Sequence, residues 1–138
     1  MVKIKQVEQT VILQGTVAAG LPKNSTFYMS VLLDPGLGSV QQIQIPPNEA
    51  WVFEDIYVKD APGVDVLLTF QKNLTENVLR TAPLSVLVVS NPARPKIDKI
   101  LYEGNTILTI VAQTLQDAPS NVPVTIIAYA KIRRFIAE

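Results

Sequence analysis

Short runs rich in Val, Ile, Thr and aromatic residues recur along this chain between clusters of Gly, Pro, Asn and Asp, and helical periodicity is almost absent. Apolar and polar residues that alternate over short stretches bounded by turn formers mark strands with one face on a core. Such a chain can bury itself only by stacking or closing sheets, so the pattern predicts an all-β fold: an antiparallel two-sheet β-sandwich.

The strand-like stretches begin with a long one from Val2 to Ala18, with a break or bulge expected near Gly15. Phe27 to Leu33, Val40 to Ile45, Trp51 to Lys59, Val64 to Lys72 and Asn77 to Arg80 follow. The last group is Leu84 to Val89, Lys96 to Tyr102, Thr106 to Leu115 and Val122 to Phe135. This gives eight to ten strands. Turn chemistry sits between them, at Asp34 to Gly38, Pro46 to Asn48, Asp60 to Gly63, Glu103 to Asn105 and Asp117 to Asn121. The irregular stretch Ser90 to Pro95 reads as a crossing between sheets. No repeat or linker interrupts residues 1–138, so a single domain is expected. Its length and unequal loops point to a jelly roll, with an immunoglobulin-like order left open.

Several strands are apolar on both faces. From Trp51 to Lys59, regular alternation places Trp51, Phe53, Asp55 and Tyr57 on one side and Val52, Glu54, Ile56 and Val58 on the other. Ile107 and Val111 oppose Leu108, Ile110 and Ala112; Ile127 and Tyr129 oppose Val124, Ile126 and Ala128. Charged residues make up only 17% of the chain, below the roughly 25% of an average soluble domain. A sheet with too few hydrophilic positions for its water side is covered either by its own loops or by another molecule. The second reading predicts a homo-oligomer whose contact residues include Trp51, Phe53, Tyr57, Ile127 and Tyr129. The same row of Trp51, Phe53 and Tyr57 supports an alternative: a carbohydrate-binding β-sandwich module in which the rings stack on sugars.

Composition narrows the chemistry. Without His or Cys, the chain has no serine triad, no thiol nucleophile and no ordinary zinc site. A hydrolase would have to work with carboxylates such as Asp55 or Asp65. Glu54, Asp55, Asp60 and Asp65 could hold calcium, but lack EF-hand spacing and read first as turn formers; no metal and no cofactor is expected. Twelve basic residues balance twelve acidic ones, which argues against a general nucleic-acid surface. No apolar run approaches a membrane span, and the alternating N-terminus does not read as a secretory leader. Lys131 to Phe135 reads as an edge strand protected by positive charge. Asn24-Ser25-Thr26 and Asn73-Leu74-Thr75 match the glycosylation acceptor pattern.

The stretch Ile45-Pro46-Pro47-Asn48-Glu49-Ala50-Trp51-Val52-Phe53-Glu54-Asp55-Ile56-Tyr57-Val58 resembles an element of jelly-roll virion structural proteins of phages and archaeal viruses. There a Pro-containing turn leads into a strand with an aromatic start and an Ile-Tyr-Val type ending. The order of Leu84 to Val89, Ser90-Asn91-Pro92, Gly104 and an alternating strand ending in Ala112 is similar to the same class. The resemblance covers about half the chain. It implies a non-enzymatic capsid, turret or decoration subunit located in a virion, with copies of itself and other virion proteins as partners, and it carries no active-site residues.

Overall fold

A computed structural model of the chain describes residues 3–32 and 40–138. The expected turn at Asp34 to Gly38, and the strand ends at Val2 and Leu33, lie outside the described residues. The elements are β1 (Ile4–Val17), β2 (Thr26–Tyr28), β3 (Ser30–Leu32), β4 (Gln42–Gln44), β5 (Glu49–Tyr57), β6 (Val66–Lys72) and β7 (Glu76–Arg80). After a 3-10 turn at Leu84–Val86 come β8 (Ile100–Tyr102), β9 (Ile107–Thr114) and β10 (Val124–Ala137). Among the described residues no helix is long and apolar enough to cross a membrane.

The strands form two antiparallel sheets arranged as a sandwich. The first has the order β3-β1-β10-β5-β8 and the second β2-β9-β6-β7, with β4 also pairing with β9. Four pairs nest inside one another along the chain: β6 with β7, β5 with β8, β2 with β9 and β1 with β10. The chain therefore runs out, turns at the β6–β7 hairpin, and returns beside itself. The hairpin tip holds Asn73 and Leu74 at φ 52° and 69°, and Thr75 N donates to Lys72 O. Two successive left-handed residues are what a tight hairpin needs to match strand twist.

Buried side chains from both sheets meet in one cluster. Phe53 of the first sheet packs edge-on against Phe70 of the second, with centroids 5.2 Å apart, and against Tyr102 at 5.7 Å. The Tyr102 hydroxyl donates to Gln71 O across the sandwich, at 3.1 Å. Burial, and then the charge of Glu76, push its phenol well above the ordinary range, because the phenolate would have to form away from water.

Four expectations from the sequence are corrected by long-range pairing. No break occurs at Gly15: β1 and β10 stay in register from Ile4↔Ala137 to Val17↔Val124. A Cβ at Gly15 would stand 2.5 Å from Met29 Sδ and 2.8 Å from a Phe27 ring carbon, so glycine serves close packing there. Phe27 to Leu33 is two strands, not one. The chain leaves the second sheet at buried Met29, whose N–H still donates to Ile110 O, and joins β1 of the first sheet at Ser30. Leu84 to Val89 is no strand either. Pro83 opens a 3-10 turn whose three-residue period brings Leu84 and Leu87 together into the core, and Asp65 accepts from Ser85 N and Oγ. Lys131 to Phe135 lies in β10, between β1 and β5, and is not an edge.

The correction with most consequence is in β5. Its pairing with β10 shifts between Lys131↔Asp55 and Ile132↔Phe53, leaving Glu54 as an extra residue. A bulge makes two residues oppose one, so the inward set changes parity. Trp51, Phe53, Ile56 and Val58 all face the core, at 2% exposure or less, while Tyr57 turns outward. Trp51 and Phe53, expected at the oligomer contact, are therefore interior residues. With them buried, the proposed sugar platform of Trp51, Phe53 and Tyr57 does not form.

Candidate contact surface

The outer face of the first sheet carries the remaining expected contact residues. Strand register aligns Leu32, Ile12, Tyr129 and Tyr57 in one row across β3, β1, β10 and β5. All four are half-buried, and Ile127, one row away beside Gln14, is 45% exposed. The Tyr57 and Tyr129 rings stack at 5.5 Å with 18° between planes. Lys59 Nζ lies 4.6 Å from the Tyr129 centroid and the Arg94 guanidinium 5.7 Å from that of Tyr57. Cations over aromatic faces are favourable by ~0.5–1 kcal/mol at exposed sites. They also shade one end of the row from water.

Arg94 comes from the segment between the 3-10 turn and β8. Its Nη1 donates to both Asp55 oxygens, at 2.9 and 3.1 Å, and to Ile56 O at 3.3 Å. Part of this face is thus covered by the chain's own loop. Further along the same face the chemistry is ionic. Arg133 donates to Glu8 and Gln6 on one side and to Glu54 at 3.1 Å on the other, while Lys99 Nζ stands 3.7 Å from Glu54. A depression of about 410 Å³ opens here between Glu8, Glu54, Lys131 and Arg133. At the end of the sandwich Arg134 pairs with Glu49 and lies 5.3 Å from the Trp51 ring centroid.

The carboxylates singled out in the sequence do not assemble. Asp55 is committed to Arg94 and Asp65 to Ser85, and among the described residues no three His, Cys, Asp or Glu side chains converge as metal ligands would. The two acceptor-pattern asparagines, Asn24 and Asn73, both occupy left-handed turn positions. Asn73 Oδ1 additionally accepts from Ile107 N.

The outer face of the second sheet is different, and the sequence reading passed over it. Gln42, Thr109, Gln71 and Asn77 align across β4, β9, β6 and β7. Asn77 Oδ1 accepts from Gln71 Nε2 at 3.0 Å, and Gln71 Oε1 accepts from Thr109 Oγ1 at 3.2 Å. The next row begins with Tyr28, which is 50% exposed. The signal for this face lies in the polar half of each alternation, Gln42 and Gln44, Thr109 and Gln113, Thr69 and Gln71.

No known family model matches the chain, and no curated protein matches it in sequence.

Proposed function

We propose that this chain is a non-enzymatic structural subunit that assembles with copies of itself through the outer face of the first sheet, as a capsid, turret or decoration protein of a virion. The observation that carries the reading is the row Leu32, Ile12, Tyr129 and Tyr57 with exposed Ile127 beside it, apolar side chains on the water side of a sheet. Covering apolar surface stabilises by ~25 cal/mol per Å², so a second copy seated there gains from the row what solvent does not give. The nested pairing of β6–β7, β5–β8, β2–β9 and β1–β10 supports the jelly-roll reading that goes with it.

Sedimentation of the purified chain at high concentration tests the proposal. A homo-oligomer is expected, and Ile127→Asp or Tyr129→Asp should return it to a monomer while the β-type circular dichroism stays unchanged. A wild-type chain that stays monomeric at every concentration overturns the assembly role.

A further inference from the structure

We infer that the side of the sandwich around Tyr28 is a binding site for neutral saccharides, at the border of the assembly face. Tyr28 ends β2, just before the chain crosses between sheets, and its ring stands between two hollows. The larger, about 510 Å³, is lined by Gln14, Ser30, Leu32 and Gln41 among others, and meets the assembly row at Leu32; the smaller, about 260 Å³, is lined by Gln41, Gln42, Leu74 and Thr109. Tyr28 and Gln41 line both, so the two hollows are neighbours.

Three features favour sugar over other ligands. Among the described residues no charged side chain lines either hollow, although the depressions on the first sheet are lined by Glu8, Glu54, Lys131 and Arg133 or by Lys59 and Asp60. Among these side chains an ionic ligand meets no counter-charge, while a ligand of hydroxyl groups meets amides and hydroxyls that both donate and accept. Second, the side chains of Gln14, Gln41 and Gln42 make no hydrogen bond to another described residue, so they have donors and acceptors to offer. Thr109, by contrast, is held by the Gln71–Asn77 ladder, which fixes one wall before a ligand arrives. Third, the half-exposed Tyr28 ring presents an apolar face with a polar tip, the combination that stacks on the C–H side of a pyranose. Leu74 adds an apolar wall. It is 47% exposed and held at φ 69°, where a hairpin ordinarily takes Gly or Asn, so turn geometry alone gives no reason for a leucine.

The test is a printed panel of neutral hexose and N-acetylhexosamine oligosaccharides beside sialylated and sulfated ones, followed by hydrogen-exchange mapping of the native protein with the best neutral binder. At least one neutral oligosaccharide should bind and protect the peptides that carry Tyr28, Gln41 and Gln42. Tyr28→Ala should weaken that binding about tenfold or more, and Tyr28→Phe, which keeps the ring, by less than about threefold. Tyr129→Asp, at a residue that lines neither hollow, should bind as the wild type does, so loss of assembly and loss of this site are read separately. The inference is overturned by binding confined to charged glycans, by no neutral binding at millimolar concentration, by protection mapping elsewhere, or by a folded Tyr28→Ala that binds unchanged.

Discussion

The outer face of the first sheet is held together by charges and rings, and that of the second by neutral amides and hydroxyls. On the first, Arg133 joins Glu8 and Glu54, Arg94 joins Asp55, and the Tyr57–Tyr129 stack lies under two cations. On the second, Thr109, Gln71 and Asn77 pass hydrogen bonds across three strands without an ion among them. Both sheets draw on the same core, so the contrast is one of surfaces alone. An apolar row bordered by ion pairs suits contact with a protein surface, where register must be specified; a neutral ladder suits a ligand rich in hydroxyls.

The widest gap should separate the two aromatics that sit on opposite sides of β5. Phe53→Ala should lower unfolding free energy in urea by about 3–5 kcal/mol, as a core truncation does, and Tyr57→Ala by under about 1.5 kcal/mol. Equal losses would erase the assignment of inner and outer faces. Next, Arg94→Met should cost about 2 kcal/mol, since Asp55, only 17% exposed in its side chain, is left without its cation. Adding Asp55→Asn should recover most of that loss; no recovery would mean that Arg94 acts through its packing and not its charge.

Deleting Glu54 offers a sharper test of the bulge. Without the extra residue, Phe53 still points in, Asp55 out and Ile56 in, so the variant should fold and lose about 1 kcal/mol with the bonds to Arg133 and Lys99. A variant that unfolds would refute the parity argument. The smallest effect belongs to the neutral ladder, where Gln71→Ala should cost about 0.5 kcal/mol. That loss should be the same in dilute and concentrated NaCl, whereas the cost of Arg133→Ala should shrink as salt screens its pairs.

Much of the fold was legible because alternation survives wherever a strand is paired regularly. In β9 and β10 the buried residues Leu108, Ile110 and Ala112, and Ile126 and Ala128, are those that period-two reading puts together, with Val111, Ile127 and Tyr129 opposite. Reading failed where local pattern and spatial partner part company. Glu54-Asp55, two acidic residues side by side in an apolar strand, was the visible trace of the bulge, yet adjacent charges alone do not say which of them is the extra one. Leu84 and Leu87 read as a strand because both are apolar; their spacing of three was the overlooked sign of a 3-10 turn. Tyr28 was hidden because an aromatic in a strand reads as core until its exposure is known.

Turn residues and alternation in the amino-acid order were enough to settle that this chain is built of antiparallel strands in a two-sheet sandwich, since few other arrangements bury short alternating runs. Which face each β5 side chain takes, where the chain crosses at Met29, and which polar residues line up across strands depended on partners distant in sequence. The physical reason is that strand side chains follow a strict period of two, so one unpaired residue inverts everything beyond it, and only the opposing strand reveals where that residue lies.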